Sequence, residues 1–312
     1  MKTPDKILRV HHLAGYGLEV PDLTVADQFF TAFGLNSQAP GGTLQLVTDR
    51  GLEAGTPPEI VVLKGATEKR LHHLSFATEP SDLPLFEEHL HAMGVRTVTP
   101  PFGAIRPGLW FQDPWGTWVN LVPVPAMAQE IPEPVTITPR VDRHLWQELR
   151  KPVRPNKLGH MLMFTQDWEQ TEAFYLKALG LRVTDRAVGK TSFISAGTGI
   201  RDHHCFGLIK STHRGFQHGS FHVDSIDQVG LGGLQLYKAG YKEGFGVGRH
   251  MLSSNLFHYT RDPWGTWIEY YADMDKISEA WQPKDWTDLP YIWPNWSPEF
   301  WTHEMNANQE TR

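Results

Sequence analysis

Along this chain, stretches with apolar residues three and four apart alternate with stretches in which they fall at every second position. The first period marks helices and the second strands. In the first half the strand pattern covers residues 8–19, 43–48, 59–64 and 71–77, and the helix pattern covers 22–33 and 82–93. The second helix stops at Gly94, a residue type that readily caps a helix C-terminus. A hairpin over 108–112 and 117–122 follows, turning at Pro114-Trp115-Gly116. Residues 123–155 hold seven prolines and read as extended surface linker, with RHLWQELR as a short helix inside it.

The second half repeats the order. Strand 158–165 leads to helix 168–179, then strands near 191–196, 203–210 and 216–223. A helix over 225–239 and strands 255–261 and 266–272 complete it. Three glycines in VGLGGLQLY each cost about 1 kcal/mol in a helix relative to alanine, but the first half has a clean helix at the matching place. Gly34 and Gly180 lie 146 residues apart, His73 and His218 145, Gly94 and Gly240 146, and Asp113 and Asp262 149. Four landmarks in one order at nearly one spacing indicate a duplication with a domain-sized period, too long for a solenoid. The expected fold class is α+β: two tandem domains, each a pair of βαβββ modules. The expected division is an N-terminal domain at 1–124, a Pro-rich linker at 125–156, a C-terminal domain at 157–274 and a tail at 275–312. The tail has no counterpart in the first half and carries Trp281, Trp286, Trp293, Trp296 and Trp301.

Composition narrows the function without naming it. A formal net charge of −6 with no basic block argues against nucleic acid as a partner. Cys205 is the only cysteine, so no internal disulfide forms, which fits a reducing compartment. The N-terminus lacks a signal-peptide core and no apolar run is long enough to span a bilayer, so a cytoplasmic location with no membrane partner is expected.

The duplicated turn carries the sharpest chemical signal. QDPWGTWVNLVP and RDPWGTWIEYYAD are nearly alike, yet Asn120 in the first stands where Glu269 stands in the second. A carboxylate is a good ligand for a hard divalent cation and an amide a poor one. His160 in the opening strand of the second half and His218 in a later strand join Glu269 if neighbouring strands of a curved sheet aim all three inward. Two histidines and a carboxylate on one face form the facial triad of non-haem iron sites, with open positions opposite. His222 has the same strand parity as His218, so spacing alone does not separate them. The first half offers Ala14, or Tyr16 with a two-residue gap, together with His73 and Asn120, a set ill-suited to a metal. The chain has 16 histidines, and any one of them alone is more simply an ordinary packing or surface residue. Cys205 reads as a small buried residue, and Phe164, Phe174 and Phe193 as core positions that could also line a pocket.

These residues carry a resemblance. His160, His218 followed by SIDQVG, Gly248-Arg249-His250, Tyr259 nine residues on and Glu269 ten beyond that are similar to the catalytic domain of the two-domain extradiol catechol dioxygenases. That family belongs to the vicinal-oxygen-chelate superfamily. RDHHCFGL resembles the family's segment bearing an acid–base histidine, which would be His204, with His203 beside it as the other choice. The resemblance covers about residues 8–272 and is strong only in the second half. It implies two open-barrel domains, the first non-catalytic, and Fe(II) held by His160, His218 and Glu269, with Mn(II) as the other cation suited to the set. The partners it implies are a catechol and O2, and the ring opens beside the diol. By the same resemblance Tyr259 binds a catechol oxygen, His250 orients that tyrosine or the substrate, and His204 moves a proton. Such enzymes are commonly homo-oligomers, so one is expected here. The competing expectations are a hydroquinone-cleaving or glyoxalase-like metalloenzyme of the same superfamily, and a metal-free small-molecule binder.

Overall fold

In the computed structural model, which describes residues 7–65, 67–126, 151–289 and 294–296, the two halves form two large sheets. In the first half β1 (His12–Val20) runs into α1 (Leu23–Phe33). Asp22 caps α1 by accepting from the Thr24 and Val25 amides, and Gly34 ends it at φ 100°, a value that favours glycine. Strands β2 (Asn36–Gln38) and β3 (Leu44–Val47), helix α2 (Asp49–Ala54) and β4 (Ile60–Lys64) complete the first module. The second comprises β5 (Arg70–Thr78), α3 (Leu83–Ala92), β6 (Leu109–Gln112) and β7 (Trp118–Pro123). A lone bridge between Thr97 and Phe111 takes the place of its missing strand. The sheet order is β2-β3-β4-β1-β5-β7-β6, so the modules join through the antiparallel β1–β5 pair.

The second half follows the same plan. Its first module is β8 (Lys157–Thr165), α4 (Trp168–Leu179), β9 (Arg182–Ala187), β10 (Thr191–Ser195) and β12 (Phe206–Lys210). Its second is β13 (Gly215–His222), α5 (Ile226–Lys238), β14 (Gly244–His250), β15 (Leu256–Arg261) and β16 (Trp267–Ala272). Short strands β11 (Arg201–Asp202) and β17 (Lys276–Ile277) pair with each other. The sheet order is β18-β9-β10-β12-β8-β13-β16-β15-β14-β19, where β18 (Lys284–Trp286) and β19 (Pro294–Trp296) come from the tail.

That order requires a curled sheet. From Trp286 to Pro294 the chain advances eight residues, at most about 28 Å. Nine flat inter-strand steps would separate β18 from β19 by about 43 Å. The two edges therefore approach each other, which is the open barrel expected. The tail pairs in parallel with β9 on one edge and antiparallel with β14 on the other. Trp293 and Trp301 lie outside the described residues, as does the short helix expected at RHLWQELR. Among the described residues no helix is long and apolar enough to cross a membrane.

One apolar core runs through both halves, from Phe29, Phe33 and Phe76 to Tyr175, Phe206 and Tyr270. The repeated turns add crossed polar ties. Asp113 of the first turn accepts from Tyr175 Oη at 3.0 Å and Arg214 Nη2 at 3.2 Å, both from the second half. Asp262 of the second turn pairs with Lys69 of the first half.

Candidate metal centre

Six neighbouring strands of the second sheet, β12-β8-β13-β16-β15-β14, bring one candidate residue each to a common region. In that order they are His204 (just before β12), His160, His218, Glu269, Tyr259 and His250. Five flat steps would spread these side chains over about 24 Å; instead His204 and His250 line the same cavity. The strand register supplies the alignment. Ser220 on β13 stands opposite His160 on one side and Glu269 on the other, and Tyr259 stands opposite Glu269. Leu162, Phe193, Leu252, Ser253 and Asn255 complete the lining.

His160, His218 and Glu269 offer ligand atoms that all lie within 4.8 Å of one another. Glu269 Oε2 is 3.0 Å from His160 Nε2 and 3.5 Å from His218 Nε2. It is buried and accepts no hydrogen bond from either. The other nitrogen of His218, Nδ1, faces the side-chain amide oxygen Oε1 of Gln217. A proton on Nδ1 therefore leaves a lone pair on Nε2, facing a carboxylate oxygen. Two acceptors aimed at one point need a cation between them. Two donors about 2.1 Å from a shared octahedral ion and at right angles are about 3 Å apart, so the residues fit a divalent metal. The remaining carboxylate oxygen is held by Asn255 Nδ2 at 3.3 Å and His250 Nε2 at 3.4 Å.

The electrostatics agree with this geometry. Burial pushes the Glu269 carboxyl up, but the imidazole nitrogens of His160, His218 and His250 that face it outweigh this and hold the group well below the usual carboxylate range. Burial lowers His218 to about 4 against the pull of Glu269, so its imidazole is neutral and able to ligate. Burial and the Glu269 charge raise the Tyr259 phenol well above its ordinary value, so it remains a donor. Its oxygen is 3.2 Å from His250 Nε2. His204 is pushed well below its ordinary value by burial, then by His160 and His203.

The structure separates choices that the sequence left open. The His204 ring lies 4.4 Å from that of His160 and lines the cavity, whereas His203 turns away onto Asp185 at 2.8 Å. His222 shares its face with His218, but Tyr271 stands between it and the site, with ring centroids 5.2 Å from His160 and 5.4 Å from His222. Phe193 lines the cavity, Phe164 packs in the cluster behind it, and Phe174 lies elsewhere, edge-on to Trp115. Cys205 is buried, and burial raises its thiol to about 12. Arg249 does not line the cavity; it pairs with Asp273 at 2.8 Å. Sequence reasoning missed Gln217, Asn255, Tyr271 and Asp185, whose parts depend on contacts that no motif records.

One matched position is corrected. In the first sheet Gly15, not Ala14 or Tyr16, stands opposite Ser75, with Asn120 on the other side of that serine. Gly15 is therefore the counterpart of His160, and a register shift between Leu13 and Gly15 makes Ala14 the extra residue of a bulge. The buried guanidinium of Arg106 fills the space that a side chain at Gly15 would occupy. It donates to Ser75 Oγ at 2.8 Å and to Pro58 O. Trp110, opposite Asn120, stands where Tyr259 does. The first half thus has a guanidinium and an indole where the second has a candidate ligand, His160, and a phenol.

The glyoxalase/bleomycin resistance protein/dioxygenase superfamily model matches residues 157–270. Metapyrocatechase 2 of Cupriavidus necator is 35% identical over 306 residues, covering 96% of this chain and 93% of that protein. An iron-dependent extradiol dioxygenase of Rhodococcus jostii (strain RHA1) is 25% identical over 166 residues, 49% of this chain and 52% of that one. Among solved structures, the Mn(II)-bound glyoxalase from Novosphingobium aromaticivorans superposes with a TM-score of 0.75 at 20% identity, over 93% of this chain and 91% of that one. That last likeness is one of fold.

Proposed function

The chain belongs to the extradiol catechol dioxygenases of the glyoxalase/bleomycin resistance protein/dioxygenase superfamily, and from that premise we propose that it opens a catechol ring beside the diol with O2, using Fe(II) held by His160, His218 and Glu269. The observation that carries the reading is the fully buried Glu269 facing two imidazole nitrogens it does not hydrogen-bond. When bound, iron supplies open coordination positions and the redox chemistry that couples a diol to O2; zinc lacks the latter. Mn(II) suits the same ligands.

The other residues have separable tasks. Tyr259 donates its phenol proton to a catechol oxygen and so favours the ionised diol. His250 and Asn255 hold Tyr259 and the Glu269 carboxylate in place. His204, neutral before reaction, accepts and returns a proton at the reacting oxygens. Leu162, Phe193 and Leu252 shed water around the ring. Among the described residues the cavity lining includes no lysine or arginine, which favours a catechol with an apolar substituent or none over a carboxylated one. In this reading residues 1–124 are a non-catalytic domain and residues 157–274 the catalytic one. The test is metal analysis of protein purified without oxygen, followed by O2 uptake with catechol. One iron or manganese per chain and uptake equal to catechol consumed are expected. A metal-free protein that consumes no O2 after iron loading would sink the proposal.

A further inference from the structure

Behind His204 lies a hydrogen-bonded chain that the reaction as described does not use. Asp185 on β9 places Oδ2 2.8 Å from His203 Nε2. His203 is fully buried, and its Nδ1 is 3.2 Å from His204 Nδ1. The other oxygen of Asp185 is already engaged: it accepts from Trp286 Nε1 at 3.0 Å and from the Lys284 amide at 3.3 Å, both in the tail. Trp281 packs edge-on to His203 at 5.5 Å, and Phe193 packs on His204 at 4.9 Å.

The donor order follows from the first member. A carboxylate only accepts, so the proton between Asp185 and His203 sits on His203 Nε2. In neutral His203 the Nδ1 then carries a lone pair. Two facing Nδ1 atoms hydrogen-bond only if one holds a proton, so that proton is on His204 Nδ1. His204 Nε2 is left with its lone pair. We propose that Asp185 and His203 are positioning residues that fix His204 in the tautomer whose Nε2 accepts a proton from the substrate, and that the tail anchors the Asp185 carboxylate by donating to its Oδ1. The proposal rests on the acid–base reading of His204 given above.

Asp185→Asn is the informative variant. With its oxygen still accepting from Trp286 and Lys284, the asparagine must present its amide N–H to His203 Nε2. His203 then carries its proton on Nδ1 and donates to His204, whose own proton moves to Nε2 and blocks it. Nitrogen-15 imidazole spectra of metal-free wild type should show His203 protonated on Nε2 and His204 on Nδ1, and those of the variant the reverse. On the metal-loaded protein, kcat should fall about a hundredfold or more with KM and metal content within twofold. The opposite tautomers in wild type, unchanged tautomers in the variant, or reversed tautomers with kcat within threefold would each overturn the proposal. His204→Phe in parallel separates the two readings. Full activity there removes His204 from the chemistry, while the spectra still decide whether the chain exists.

Discussion

Glu269 keeps a charge that burial alone would suppress, because three imidazoles converge on it. Glu269→Gln and His160→Ala should therefore lose both ring cleavage and bound metal, read by elemental analysis; full metal and full rate in either would remove that residue from the centre. Asn120→Asp should leave activity nearly intact, since the Arg106 guanidinium occupies the space of the side chain that is missing at Gly15 in that half. Tyr259→Phe should retain metal and lose about a hundred- to ten-thousand-fold in rate, and a loss under about twofold would make it a packing residue. Arg106→Ala removes the donor to Ser75 and Pro58 and leaves Glu59, which burial already pushes up, without the Arg106 charge that opposes that rise. A destabilisation of about 3 kcal/mol by denaturant titration is expected, with metal content unchanged. At this scale the sequence named the triad, His204, His250 and Tyr259 by motif. It misplaced the first-half partner of His160 because the repeat spacing is 145 between these strands and 146 between the first helices, and counting along a chain does not reveal where that one-residue change falls.

Among the elements, the β11–β17 pair is held by charge. Lys157 Nζ reaches Asp202 Oδ2 at 2.6 Å, and Lys276 reaches Oδ1. Burial would raise the Asp202 carboxyl, but the two lysines overcome this and hold it at about 2, below its ordinary 3.8. A depressed carboxyl stabilises the fold above its unfolded value and loses that contribution as pH falls through about 2. Wild type should exceed Asp202→Asn by about 2 kcal/mol near neutral pH, with the gap closing below pH about 3; a gap independent of pH would contradict this. The periodic elements were legible, including the glycine-rich α5, whose Gly232 and Gly233 let the helix approach the rings of Tyr270 and His258. β9 and β14 were not, because RVTDRA is mostly polar and GFGVGRH is broken by three glycines; neighbouring strands hold them extended.

For the whole molecule, the described part of the tail folds back over the second half. Trp286 and Leu289 pack on the cluster of Leu162, Phe164, Phe193, Ile209 and Leu252, and three of these, Leu162, Phe193 and Leu252, line the cavity. Truncation before Trp281 should leave iron binding but raise KM and change the ranking of substituted catechols. Lower stability with KM and ranking unchanged would mean that the tail only packs. The sequence by itself determined the duplication, the order of most helices and strands and the candidate ligand types, because periodicity and residue chemistry are local properties of a chain. Only the tertiary structure decided which residues meet. The curl of the sheet gathers six strands onto one cavity. Bulges set which residue stands opposite which. Asp185, Asn255 and Gln217 acquire their parts from contacts between strands and turns, and such contacts depend on register and curvature, which the order of residues does not display.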